Sequence, residues 1–372
     1  MADFERLVKL PHQESTIDIV GYDLCSPEGY SLPGNPGGFD QVEPGYELLE
    51  ALFTGSDKPI VATARSGPEA TASLEMARAA FQDPDLDEHV VIAQLTVRSP
   101  RLFNEPMVEG LLRYARAGQP LLIASGAIPG ASAPVSLSEA AVQATAEALF
   151  GVVLVQTVAP GTPVVIGRTG TGYDWEAETV SAGSPRGTVL QDVLVEMARH
   201  YDLPARGGGA ATDAKEIDDR SGAESTYHLG QALRSGADLL MNATGCLDAY
   251  ATVSPEKTVL DAERVRALSQ ARGDESSLVE ALEAGPSLST IRDATPGSPF
   301  FDDREPAAVP DATRFEETIG FRGDHDSWVA AGSPTMVASA SDRVESLLAD
   351  YERPLIDEAA ARDLEEIAAK HS

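Results

Sequence analysis

The chain reads as an α/β protein of the TIM (β/α)8-type barrel class, and three observations carry that expectation. Short apolar runs with little alternation recur along it, helix-like stretches separate them, and the loops after several runs are rich in Gly, Pro and polar residues. Runs without alternation suit strands covered on both faces, and strand and helix in turn build a parallel sheet. A doubly wound sheet competes, but no GxGxxG opens the first unit, so the barrel is favoured.

The expected strands are IDIVGYD from Ile17, PIVATA from Pro59, VVIAQLTV from Val90, PLLIASG from Pro120, PVVIGRT from Pro163, LPARGGG from Leu203 and LLMNATG from Leu239. That is seven, one short of a closed eight-stranded barrel. Between them, Ser136 followed by Glu139 has capping-box spacing before an apolar stretch to Phe150. Ser184-Pro185 opens another helix, with Val189, Val193 and Met197 on one stripe and Leu190 and Leu194 beside it. After Leu260 comes a helix, then chain rich in Pro, Gly and Asp from Gly285 to Arg314, then acidic amphipathic helices between Ser339 and His371. We therefore expect a barrel catalytic domain over residues 1–284. Residues 285–372 would form an irregular segment and a C-terminal helical tail that packs on the barrel or makes a subunit contact in a homo-oligomer.

Composition narrows the partners. A formal net charge of −31, with 59 acids against 28 bases, argues against nucleic acid and anionic membranes, both of which need basic patches. The acids are dispersed and hydrophobic residues still make up 42%, so a charged shell over a normal core is expected. Dispersed acid with only five lysines resembles the proteins of salt-loving archaea. Cys25 and Cys246 are too few for a disulfide framework, no Cys/His cluster suggests a metal, and a reducing cytoplasm is expected. The N-terminus lacks a signal-peptide core, and the run Ala148–Val155 is too short to span a membrane.

In a barrel the reacting groups gather at the C-terminal strand ends. That places Gly207, Gly208, Gly209, Asp213 and Lys215 at the rim, with Arg65, Gln94, Ser125, Arg168 and Asn242. The three glycines suit close approach of backbone to a ligand or neighbouring chain, and equally a tight turn. Asp213, Lys215, Asp218 and Glu224 suggest a mixed-charge network, with Lys215 either an ion-pair partner or a Schiff-base nucleophile of an aldolase. Tyr173 and Trp175, beside Asp174 and Glu176, offer what a methylated ammonium wants, aromatic faces and negative charge; a packed lid reads equally well. Arg168 and Arg206, at neighbouring strand ends, could grip a substrate carboxylate bidentately or pair with local acids. His200 and His228 read as ordinary helix residues.

Three long segments also resemble a known family. GAIPGASAPVSLSEAAVQATAEALFGVVLVQTVAPGTPVVIG (126–167), LPARGGGAATDAKEIDDRSGAESTYHLGQALRSGADLLMNATG (203–245) and SWVAAGSPTMVASASDRVESLLADYERPLIDE (327–358) look like the trimethylamine methyltransferase superfamily, in the same order. The resemblance implies a barrel enzyme that demethylates a small methylated amine. It passes the methyl group to the Co(I) of a corrinoid (cobalamin) presented by a partner corrinoid protein, with no cofactor bound directly. Members acting on trimethylamine carry pyrrolysine, which no position here shows; the pyrrolysine-free members are similar to quaternary-amine demethylases acting on glycine betaine. The N-terminus is shorter than is usual in the family, so the eighth strand is expected to be lost or replaced by SLSTIRD near Ser287. A QxGYE pattern stands here as RSGAEST, which carries Glu224 and Tyr227 over as catalytic and substrate-binding candidates. The alternative is a truncated, non-catalytic barrel that serves as a scaffold subunit of a corrinoid complex.

Overall fold

Each of the seven apolar runs yields a strand. The computed structural model describes residues 2–21, 45–63, 65–169, 171–285, 288–298, 315, 317–354 and 356–371; Cys25 lies outside them. The strands β1 (Val20–Gly21), β2 (Ile60–Thr63), β3 (Val91–Val97), β4 (Leu121–Ser125) and β5 (Val164–Arg168) pair side by side, parallel and in chain order. A hairpin of β6 (Gly172–Asp174) and β7 (Thr179–Ser181) follows β5. A bridge between Ile166 and Ala205 continues the sheet to β8 (Arg206–Gly207), which pairs parallel with β9 (Leu239–Leu240). A second hairpin, β10 (Cys246–Leu247) with β11 (Thr252–Val253), caps the end of β9.

Side chains alternate across this sheet with the period of two that strands impose. Val61, Ile92, Leu122 and Met241, with Ile19, Val165 and Leu239, form one inner cluster to which both Ile19, just before the first strand, and Leu239 of the last contribute. Their neighbours Ile60, Ala93, Leu121, Ile123, Val164 and Ile166 point out into the main core beneath the helices. Parallel order and a shared inner cluster make this a (β/α)8-type barrel with seven strands among the described residues. SLSTIRD does not supply an eighth: Ser289–Asp293 is a short helical turn.

The outer helices are α1 (Ala2–Gln13), α2 (Tyr46–Gly55), α3 (Gly67–Ala80), α4 (Glu105–Arg116), α5 (Leu137–Val158), α6 (Pro185–His200), α7 (Asp219–Ser235) and α8 (Pro255–Ala284), followed by the turn α9 (Ser289–Asp293). Two expectations for them need correction. The Ser136 hydroxyl makes no cap; it pairs with Ser138 Oγ at 2.9 Å, and α5 runs past Phe150 to Val158. By length and composition α5 is apolar enough to cross a membrane, more than the run Ala148–Val155 suggested, and its buried face packs on the sheet, where a Cβ on Gly151 would come within 2.8 Å of Ile123. On α6 the expected stripe divides: Leu190 and Leu194 are buried, while Val189 and Val193 face outward. Of the tail helices α10 (His325–Ala330), α11 (Met336–Ala349) and α12 (Glu358–His371), α11 packs on α1 and α8, and α12 on α2 and α3. Val344 and Leu347 join Leu10 and Leu260 in one apolar cluster, and Leu364 enters the main core.

Candidate active site

Three loops meet beyond the ends of β5, β8 and β9: the β6–β7 hairpin, the segment after Gly207, and the turn that joins β10 to β11. Arg206 starts this region from inside the barrel. It pairs in register with Leu239, an inner residue, and Gly167 leaves space for it: a Cβ there would sit 2.7 Å from Arg206 Cβ. The glycines that follow serve close packing. A Cβ on Gly207 would meet Ala237 at 2.5 Å and Ala232 at 2.9 Å, and one on Gly209 would collide with the Asn242 main chain, whose carbonyl accepts from Ala210 N at 2.9 Å. Only at Gly208 is there room, with Gln191 Oε1 3.8 Å away. Gly207 and Gly209 are therefore spent on close approach of neighbouring chain, one of the readings the sequence offers for them.

Of the expected mixed-charge network, Asp213 and Glu224 come together through Arg220, while Lys215 pairs apart from them with Asp248 and Asp218 caps α7, accepting from Ser221 N at 2.8 Å. Asp213 ties the hairpin to the β8 loop, accepting from Ser181 Oγ at 2.6 Å and Ala182 N at 2.6 Å. Glu224, on α7, accepts from Thr212 Oγ1 at 2.5 Å, Asp213 N at 2.9 Å and Arg220 Nε at 2.8 Å. Burial alone would raise the Glu224 carboxyl, but the bonds from Thr212, Arg220 and Asp213 outweigh it and hold it below the usual carboxylate range. Arg220 bridges the two acids, reaching Asp213 Oδ2 at 3.4 Å. Lys215 is 70% exposed and paired with Asp248. That is the environment of an ion pair, since a Schiff-base lysine needs desolvation to lower its pKa.

The turn after β10 was not singled out from the sequence. Asp248, Ala249 and Tyr250 all have positive φ, +50°, +50° and +77°, a left-handed run of non-glycine residues. It is held by Asp248 N donating to Ala214 O at 2.8 Å, Ala249 N to Thr212 O at 2.9 Å, and the Lys215–Asp248 pair. Its product is the placement of Tyr250 near Arg206 and Arg168, with the Asn242 side chain as its hydrogen-bond partner. Burial lifts the Tyr250 phenol to about 12, helped by Cys246 and opposed by the two arginines and Asn242. Asn242 itself has φ +54°, so the strand end carries four left-handed non-glycine residues in nine positions, and such strain gathers at functional sites.

Arg168 needs correction as a carboxylate ligand. It is fully buried on the outer face of β5, where Nη1 donates to Gly187 O at 2.7 Å and Nη2 to Ala127 O and Thr171 O at 2.7 and 2.8 Å. Burial, with a smaller push from Arg206 and against the pull of Tyr250, lowers its guanidinium to about 9. Ser125 also points outward, donating to Glu147 Oε2 at 2.6 Å, and Arg65 is engaged with Glu69. Tyr173 and Trp175 meet edge to face at 5.0 Å, with Trp175 62% exposed over Gly130. Tyr227 lies exposed on α7 against the His228 ring, and His228 is buried with Nδ1 2.6 Å from Thr188 Oγ1, closer to the rim than the sequence suggested. Among the described residues no group of three or more His, Cys, Asp or Glu could hold a metal. Sequence reading missed Arg220, Thr212 and Ser181; the Arg220 to Glu224 spacing of four on a helix was the available signal for the first.

Comparison with known proteins gives these loops a family. The family model for trimethylamine methyltransferase matches residues 1–372. The glycine betaine methyltransferase of Desulfitobacterium hafniense is 27% identical over 360 residues, 96% of this chain and 72% of its own length. The proline betaine:corrinoid methyltransferase of Eubacterium limosum is 31% identical over 59% of this chain and 45% of its own length. A trimethylamine methyltransferase of Methanosarcina mazei is 29% identical over 73% of this chain, which spans 54% of that relative. Among solved structures, the Methanosarcina barkeri monomethylamine methyltransferase aligns with 95% of this chain and 70% of its own at 12% identity and a TM-score of 0.47. The barrel assignment rests on strand order and the inner cluster. The chain belongs to the trimethylamine methyltransferase family.

Proposed function

We propose that the chain is a cytoplasmic methyltransferase that removes a methyl group from a quaternary methylated amine, glycine betaine being the leading candidate, and delivers it to the Co(I) corrinoid of a separate corrinoid protein. The whole-length family match carries this reading, and the two betaine methyltransferases among the relatives favour a quaternary substrate. The corrinoid supplies the nucleophile for an in-line displacement and is written here as a substrate borne by the partner. What the chain contributes is positioning and charge.

A quaternary ammonium has no N–H to donate, so only charge and aromatic faces recognise it. The Tyr173–Trp175 pair and the negative field of Asp213 and Glu224 are the groups we assign to it. Arg206, inside the barrel, is assigned to a substrate carboxylate, with Asn242 and Tyr250 beside it. Asp213 and Lys215 act through the loops they tie, and Gly207 to Gly209 through the close approach they allow. The test is discrimination: Arg206→Ala should cut kcat/KM for glycine betaine roughly tenfold or more, the worth of a lost charged hydrogen bond, and leave choline, which lacks the carboxylate, nearly unaffected. Equal losses on both would remove Arg206 from the site. One observation favours the scaffold reading: both carboxylates are engaged in ties between loops. A scaffold would bind the corrinoid protein and transfer no methyl group.

A further inference from the structure

Behind the rim, between α7 and α8, a charge pair is sealed into the fold. Lys257 and Asp261, one turn apart on α8, have fully buried side chains, and Lys257 Nζ donates to Asp261 Oδ2 at 2.5 Å. The ammonium also donates to Ala210 O and Ser225 Oγ, each at 2.9 Å, and Ser225 Oγ donates in turn to Ala210 O at 2.8 Å. All three Lys257 protons therefore have partners. Asp261 Oδ2 accepts from Gly245 N at 3.0 Å as well, and Oδ1 from Arg264 Nη1 at 2.6 Å. Gly245 has φ +82°, and a Cβ there would stand 2.5 Å from Thr258 Oγ1, so this main chain lies directly against α8.

The groups so gripped belong to both halves of the rim. Ala210 lies between β8 and Asp213, and Ser225 follows Glu224 on α7. Gly245 lies between Asn242 and the turn that carries Tyr250. One half bears the acids assigned to the ammonium group, and the other bears Asn242 and Tyr250, which stand with Arg206 at the carboxylate end. Bonds from one buried pair to both halves fix how far apart they stand. Stability does not account for the pair. Burial lifts the Asp261 carboxyl above the ordinary carboxylate range even against Lys257, Arg264 and the Gly245 amide, so keeping it ionised at neutral pH costs folding free energy. Buried ion pairs can often be replaced by uncharged residues of similar volume with little loss of stability, and fixing register is their best attested use.

We propose that Lys257 and Asp261 are positioning residues that set the length of substrate the rim accepts, by holding the Asp213–Glu224 side and the Asn242–Tyr250 side at a fixed spacing. The inference rests on the quaternary-amine function proposed for this rim, in which the two sides receive the two ends of a betaine. A dipolar substrate makes both contacts well only when its charges are as far apart as the groups that receive them. Glycine betaine and γ-butyrobetaine carry the same two ends on a short and a longer spacer, so they read that spacing.

The experiment compares the wild-type chain with Lys257→Met combined with Asp261→Asn, which removes both charges, keeps the volume and leaves an acceptor for Gly245 N. Ser225→Ala, which deletes the hydroxyl between Lys257 and Ala210 and keeps the charges, is the second variant. The readouts are Tm, hydrogen exchange of the amides in residues 210–214 and 242–250, and kcat/KM for each betaine with the cognate corrinoid protein. With the fold retained, the double variant should exchange faster in both segments and not in β3 or β4, and its preference for glycine betaine over γ-butyrobetaine should fall roughly tenfold. Ser225→Ala should move both readouts in the same direction by less, and it decides the matter if the double variant does not fold. Equal proportional losses on the two betaines, or unchanged exchange in both segments, would make the pair structural only and overturn the proposal. A wild-type chain inert toward both betaines would sink the proposed reaction and the substrate role with it, while exchange would still show whether the pair holds the two loops in place.

Discussion

Glu224 and His228 tie the rim to pH in the same direction. Glu224 is held below the ordinary carboxylate range, so the stability it contributes is present above the unfolded-state value and is lost as pH falls through its lower folded value. His228 is pushed below 6.5, so from that pH downward the unfolded chain takes up a proton that the folded chain refuses. Unfolding free energy should therefore drop on acidification below about pH 6.5, and His228→Gln should flatten the upper part of that drop in denaturant titrations followed across pH. An unchanged slope would mean the imidazole titrates normally. Asp213→Asn weakens the bonds from Ser181 and Ala182, and misplacing the hairpin should lower kcat/KM by roughly 10²-fold with the barrel still folded by circular dichroism. At this scale the sequence was partly readable. It brought Asp213 and Glu224 together, because they sit within twelve positions of one loop and helix, but it also grouped with them Lys215, which pairs with Asp248, and Asp218, which caps α7. It could not separate Arg168 from Arg206, since strands apolar on both faces carry no alternation to say which side is inner.

At the level of elements, the β10–β11 turn stores the most evident strain. Ala249, at φ +50°, pays the left-handed cost of a residue with a Cβ, so Ala249→Gly should stabilise the fold by up to about 1 kcal/mol. If the strain serves to seat Tyr250, turnover should fall in the same variant; a variant both more stable and fully active would show the strain to be incidental. Gly209→Ala drives a Cβ into the Asn242 main chain and should cost about 1–3 kcal/mol or more, read as a lower urea midpoint. The seven strands were legible because each is a compact apolar run bounded by turn residues. The left-handed turn was not: Asp248, Ala249 and Tyr250 are ordinary residues whose conformation is imposed by hydrogen bonds from a loop some 35 positions earlier. The same applies to α6, where Val189 and Val193 are as apolar as Leu190 and Leu194 and only packing against the neighbouring helices decides which pair is buried.

Over the whole molecule, a net charge of −31 sets the conditions in which this barrel is stable. Dispersed acids repel one another across a folded surface, and added salt screens that repulsion. Tm should rise steadily between low and molar salt at neutral pH; a flat or falling curve would mean that local ion pairs such as Arg6–Glu345 and Lys370–Glu75, which fasten α11 and α12 to the barrel, outweigh the net repulsion. Methyl transfer is tested most directly by mixing the purified chain in high salt with a Co(I) corrinoid, free and on a cognate corrinoid protein, and following the methyl-cobalt absorption band. Glycine betaine, proline betaine, carnitine, choline and trimethylamine would be supplied in turn. Growth of the band with a betaine and not with trimethylamine is the predicted result. No band with any of the five on the cognate corrinoid protein, while the two proteins still bind, would contradict it and leave a scaffold.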